Sequence, residues 1–226
     1  MTIITRFFNS TLGKKYIMAL TGFLLFGFVI VHMLGNLQLF AGADAINEYA
    51  ELLKSKAALL WGARLGLLTI TMLHIVTAIQ LVLLNRAARP VKYGTGTAPV
   101  AASLSSRTAA ISGTIILAFV IFHLLHYTVG VINPEFLALR DAQGRHDVFG
   151  MVVAGFSNPL VSGFYLLAMA LLCLHLSHGV SSMFQSLGLK SGAYDTMIDR
   201  VAKGASAAIF LGNCAIVIAV LAGLVK

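Results

Sequence analysis

The sequence predicts an all-α integral membrane protein, a single domain over residues 1–226 built as a bundle of five transmembrane helices with a cytoplasmic N-terminus. Of its 226 residues 58% are hydrophobic and only 11% are charged, and the mean hydropathy is +0.90, far more apolar than a water-soluble domain. Crossing the hydrocarbon core takes about 20 apolar residues in a helix, and such runs occur near 16–37, 59–84, 109–131, 159–184 and 204–225. The net charge of +8, divided among the segments between these runs, falls on one side.

The first run is longer than the apolar stretch of a signal peptide and has no small-residue cleavage site, so it reads as a span. The loop after it, NLQLFAGADAINEYAELLKSK, has helical spacing at Ile46, Tyr49, Leu52 and Leu53, which predicts a short interfacial helix capped by Asp44. Between the second and third runs, NRAARPVKYGTGTAPVAASLSSR is rich in Pro, Gly, Ser and Thr and reads as an irregular cytoplasmic connection. Its GTG is not a dinucleotide fingerprint, because the chain has no room for a βαβ unit. The loop NPEFLALRDAQGRHDVFGMVVAGFSNP between the third and fourth runs is long, proline-bounded and too short for a catalytic domain.

With the N-terminus inside, the inner segments hold Arg6, Lys14, Lys15, Arg86, Arg89, Lys92, Arg107, Lys190, Arg200 and Lys203 against Asp195 and Asp199. The outer segments hold Lys54, Lys56, Arg64, Arg140, Arg145 and Lys226 against Asp44, Glu48, Glu51, Glu135, Asp141 and Asp147. All the net charge is therefore on the inner side, which obeys the positive-inside rule. Attraction to anionic lipid and docking of an acidic soluble subunit are both consistent with it. No nucleic-acid partner is expected.

Cys173 and Cys214 both fall inside spans, with no CxxC pair and no C-x-x-C-H motif. Any haem here is consequently held without thioether links, as a b-type cofactor, and protein-ligated iron–sulfur clusters are excluded. Six of the seven histidines, His32, His74, His123, His126, His175 and His178, lie in spans, while His146 is in an outer loop. Ionisable groups inside a membrane are costly and point to function, although a lone one can be a plain interhelical hydrogen-bond partner.

Counting about 1.5 Å per residue from the inner ends of the runs, His32 and His123 sit roughly 21–24 Å deep and His74 and His175 roughly 14–15 Å deep. Two histidines at one level on different helices are what a bis-imidazole haem iron requires, and two such levels make a transmembrane electron path. Depth does not choose between His123 and His126, or between His175 and His178, since each pair is three residues apart on nearly one face. Glycines at 22, 27, 35, 113 and 179 would admit a flat macrocycle, or serve close helix contact.

The stretches TGFLLFGFVIVHMLGN (21–36), LHIVTAIQLVLLNRAARP (73–90), SGTIILAFVIFHLLH (112–126) and LHLSHGVSSMFQSLG (174–188) carry a resemblance to a known family. From about residue 10 onward the chain resembles the di-haem cytochrome b subunit of succinate dehydrogenases and fumarate reductases, in its single-chain, five-span type. The resemblance implies axial ligands at His32 and His123 for an outer haem and at His74 and His175 for an inner one. Gly113, ten residues before His123, and Gly179, four after His175, match the family pattern and favour these two over His126 and His178. It leaves His178 a haem-propionate contact or a plain hydrogen bond.

It further implies a multi-pass protein of the cell (inner) membrane, with a flavoprotein subunit and an iron–sulfur subunit on the cytoplasmic face. Electrons would pass through the two haems to or from a quinone, menaquinone rather than ubiquinone, with Glu48 or Glu51 serving proton transfer. Other readings of the same histidines are the di-haem anchor of another quinone-linked enzyme, such as a nitrate reductase, formate dehydrogenase or hydrogenase, a haem- or metal-transporting protein, and a purely structural bundle.

Overall fold

The structure, a computed structural model, describes residues 2–88 and 104–226. Among them there is no strand, only one isolated bridge between Arg140 and His146. A short helix α1, Ile3–Asn9, leads into α2, Thr11–Leu37. The Ser10 hydroxyl accepts from the Gly13 N–H at 3.0 Å, satisfying a first-turn donor that has no helical partner. Then follow α3 (Ala43–Ser55), α4 (Ala57–Ala87), α5 (Leu104–His123), α6 (Val148–Phe156), α7 (Pro159–Ser186) and α8 (Asp195–Leu221). Five helices are long and apolar enough to cross a membrane: α2, α4, α5 with its continuation to Thr128, α7 and α8.

These spans coincide with the five apolar runs; several ends shift by a few residues, and two of the shifts have identifiable reasons. α8 starts at Asp195, nine residues before the run at 204, and its second turn is polar with partners outside the helix. Asp199 accepts from Lys190 Nζ at 2.8 Å and from the Ser181 hydroxyl at 2.5 Å. The third span stops at Thr128 instead of 131, where the chain turns through Gly130 at φ +71°, a conformation that costs glycine little. The middle of the polar connection between the second and third spans, residues 89–103 with Arg89 and Lys92, lies outside the described residues.

Contacts along the helices set their directions. Lys14 near the start of α2 and Gln80, Leu83, Leu84 and Ala87 near the end of α4 line one groove, so α2 and α4 are antiparallel. Ser112 of α5 meets His175 of α7, and His123 of α5 meets Tyr165 of α7, so this pair is antiparallel too. Met33 of α2 lies against Gly212 of α8, and Ala19, Val180 and Ala202 share a cluster. Thus α2, α5 and α8 run from a near face, where α2 begins, to a far face, and α4 and α7 run back.

α7 is the central helix, packing on α8, α5 and α2, whereas α4 packs mainly on α2. Among its described residues α4 buries only Thr77, and Leu59, Leu65, Leu68, Ile79 and Leu83 are exposed, as expected for a helix facing lipid. The buried core gathers in the far half around Phe119, Phe156, Tyr165, Met169, Cys214 and Val217. Cys173 and Cys214 are free thiols.

The far face is capped by α3 and α6 packed together. α6 was not anticipated from the sequence, where its segment reads as loop. At nine residues it is too short to cross the membrane, and its apolar residues Met151, Val152 and Phe156 are buried in the far half. Asn47 joins the two elements at 1% exposure. Its amide donates to Asp147 at 3.0 Å and Asp141 at 3.2 Å and accepts from the Phe149 N–H at 3.0 Å. The expected cap of α3 is different: the N-cap is Gly42, without a side-chain cap. Asp44 is the second residue of the helix, past the N-cap position, and its carboxylate pairs with Arg145 at 2.7 Å, an acidic group in the first turn being favoured by the helix dipole.

Candidate functional site

Four spans carry the histidines, and the structure joins them in two pairs. His32 of α2 and His123 of α5 have ring centroids 5.7 Å apart with planes at 88°. A metal bonded to one nitrogen of each ring at about 2 Å would set the centroids about 6 Å apart. His74 of α4 and His175 of α7 lie within electrostatic reach of each other. Neither α2 and α5 nor α4 and α7 share a broad interface. The imidazoles therefore lie between helices that share no broad contact.

Neighbours on the helices place the pairs at two levels. The His74 ring lies 3.4 Å from where a Cβ on Gly22 would stand, and the His175 ring 3.3 Å from a Cβ on Gly113. His32 is ten residues beyond Gly22 and His123 ten beyond Gly113, about 15 Å further along each helix. The His74 and His175 pair is nearer the near face, and the His32 and His123 pair nearer the far face.

Hydroxyls fix how two of these rings present themselves. Thr21 donates its proton to the Ile17 carbonyl at 2.7 Å, so its oxygen is left to accept from His74 Nδ1 at 3.0 Å. Ser112 likewise donates to the Ala109 carbonyl at 3.1 Å and meets His175 Nδ1 at 3.3 Å. A proton held on Nδ1 leaves Nε2 with its lone pair free for a metal. A Cβ at Gly27 or Gly179 would meet nothing within 4 Å, so those backbones border open space.

His126, which depth did not separate from His123, has a different setting. It is 1% exposed, enclosed by Phe122, Tyr127, Phe136 and Tyr165, and no second imidazole is stacked on it. His32, His74, His123 and His175 all keep open surface. His178 sits beside His175 and Lys190 and shares a hydrogen bond with Ser182 at 3.3 Å. Glu48 and Glu51 are on the exposed side of α3, with Glu51 beside Lys54. His146 is bridged to Arg140 at the far face. Burial, then the nearby Lys54 and Arg140, hold its pKa below the usual imidazole value.

Comparisons with protein-family models, with curated proteins and with solved structures returned no match. The chemistry of the donor set is therefore judged on its own. Among the described residues, no three or more His, Cys, Asp or Glu side chains are grouped to hold a metal ion. A haem iron asks the protein for only two axial ligands. Paired imidazoles, free Nε2 atoms, bordering glycines and an apolar surround fit a haem at each level. The residues that sequence reasoning missed are Thr21, Ser112 and Tyr165, whose hydroxyls meet histidine Nδ1 atoms. Each stands ten or eleven residues from the histidine of its own helix and bonds one on another helix, a relation with no local signature.

Proposed function

We propose that this chain is the membrane anchor and electron-transfer subunit of a succinate:quinone oxidoreductase and holds two b-type haems. The observation that carries the reading is the arrangement of four imidazoles as two pairs about 15 Å apart along the bundle, the rings of His32 and His123 in contact and His74 and His175 within electrostatic reach, across helices that share no broad interface. His32 and His123 would hold the haem nearer the far face, and His74 and His175 the other. Each haem, when bound, supplies reversible one-electron chemistry.

The chain's own residues do the rest. Thr21 and Ser112 orient His74 and His175 and keep Nε2 free of the proton. Gly22 and Gly113 let those rings lie against a neighbouring helix. Phe28, stacked on His32 at 5.4 Å, and Phe119, beside His123 at 5.9 Å, line the other level with apolar surface that excludes water. His178 is placed to bond a propionate near His175. The near face, read as cytoplasmic from its excess of Lys and Arg, would dock the iron–sulfur and flavoprotein subunits in the cell membrane. Menaquinone is the favoured quinone, with Glu48 or Glu51 on α3 supplying or accepting its protons.

The reading is tested by the haem content and reduced-minus-oxidised spectrum of the purified chain, with His32, His74, His123 and His175 changed singly to Ala. Two low-spin haems are expected, one lost with His32 or His123 and the other with His74 or His175. An intact chain without tightly held haem would overturn it and bring forward a transporter or a structural bundle. Co-purification with a flavoprotein that oxidises succinate separates this subunit from anchors of other quinone-linked enzymes.

A further inference from the structure

The tyrosine on α7 that touches both histidines of the third span has a role that the paired-ligand arrangement does not by itself require. Tyr165 Oη lies 3.2 Å from His123 Nδ1 and 3.2 Å from His126 Nδ1, and its side chain is buried at 5% exposure. A phenol has one proton to donate and lone pairs to accept with. It can donate to only one of these nitrogens, so the other must carry a proton and donate to the oxygen. The two imidazoles are thereby forced into opposite tautomers.

Which is which follows from the di-haem reading, in which His123 Nε2 carries no proton, and the other pair of histidines offers the same arrangement. At His74 the hydroxyl proton goes to a helix carbonyl, at His175 the same arrangement recurs, and in both the oxygen is left facing Nδ1. Among the described residues Tyr165 has no such carbonyl partner within bonding distance, and on this reading the acceptor that takes its place is His126. This also accounts for why a histidine is sealed at 1% exposure among four aromatic rings. The π-helical turn Leu124–Thr128 contains it, closed by the Val129 N–H to the Leu124 carbonyl at 2.8 Å. Such turns shift the register of the side chains that follow.

We propose that Tyr165 and His126 are positioning residues for His123, acting through one directed chain. His123 Nδ1–H donates to Tyr165 Oη, and Tyr165 O–H donates to His126 Nδ1, whose own proton sits on Nε2. His123 is left with Nε2 free toward His32 and is made more electron-rich. The direction of the chain rests on the di-haem reading, which needs His123 Nε2 without a proton; that the two imidazoles are opposite tautomers rests on the two contacts of Tyr165 alone.

The test uses the full chain in lipid vesicles with 15N-labelled histidine. Solid-state NMR of the unaltered protein is expected to find Nδ1 protonated on His123 and Nε2 protonated on His126, a pattern that needs no variant to fold. Tyr165→Phe should abolish both hydrogen-bond shifts and raise the midpoint potential of one haem only, since a ligand whose N–H has lost its acceptor is less basic. His126→Phe, which keeps the ring volume, should move the same potential in the same direction by less. The reverse tautomers, unchanged nitrogen shifts in Tyr165→Phe, or two potentials moving together would overturn the proposal. A chain that holds no haem would overturn the electron-transfer reading instead, and the nitrogen spectrum would still decide the relay.

Discussion

Each paired imidazole depends on the atom behind it. At Gly113 a Cβ would stand 3.3 Å from the His175 ring, already tight, so the branched side chain of Gly113→Val must displace the ring. The expected outcome is loss of one of two haems, read from the haem-to-protein ratio, with the His32 and His123 level unaffected. Thr21→Val keeps the shape but removes the acceptor for His74 Nδ1. It should leave both haems bound and shift the potential of one, as measured by redox titration. On the far face, burial opposes the charge of Asp141, but hydrogen bonds from Arg145 and Asn47 outweigh it and hold its pKa below the usual carboxylate value. A depressed carboxylate contributes stability above its unfolded pKa of about 4 and loses it as pH falls through the lower folded value. Amide exchange in α3 and α6 should therefore rise on acidification below about pH 4 at fixed salt, and Asp141→Asn should abolish that step.

The far-face cap is a matter of elements. α3 and α6 come from loops about a hundred residues apart and are held by Asn47, whose amide serves three partners at once. Asn47→Ala would leave a buried N–H and two carboxylates without those bonds, a loss of about 1–3 kcal/mol. Detergent-phase thermal unfolding should show it as a lower midpoint, and limited proteolysis should cut first near 141–147. α3 was legible because its apolar residues recur at helical spacing, but only part of that face is buried. Ile46 is 3% exposed, while Leu52 is 59% exposed, as befits a helix lying at an interface with one end in the core. α6 was hidden because Val148–Phe156 is apolar on every side, which carries no period. Its helix is stabilised by Asp147 as N-cap, accepting from Gly150 N at 2.9 Å, and by burial against the spans. The early start of α8 was hidden for the opposite reason, since its first turns are polar and gain partners only from Ser181 and Lys190.

For the whole molecule, the spans form two groups, α2 with α4 and α5 with α7, linked through contacts of α2 with α7 and of both α2 and α7 with α8. Helix surfaces that face each other without interdigitating contribute little dispersion, so a group bound between them should stabilise the bundle strongly. A haem bound only by the folded state would raise stability with the logarithm of its concentration over its dissociation constant. Removing it by mild acid–detergent extraction should lower the unfolding temperature and increase exchange in α4 before α8, because α4 packs mainly on α2. Readdition of haem should restore both.

The sequence by itself determined the five spans, because the bilayer demands apolar length from each helix separately. It also placed histidines on four of them, a pattern visible at the level of single residues. The family pattern favoured His123 over His126, and the tertiary structure sets the His123 ring against His32; only the tertiary structure decided that Asp44 pairs with Arg145 and that Gly42 stands at the N-cap of α3. Those outcomes depend on which side chains meet across helices far apart in the chain, and helical periodicity holds no information about a partner.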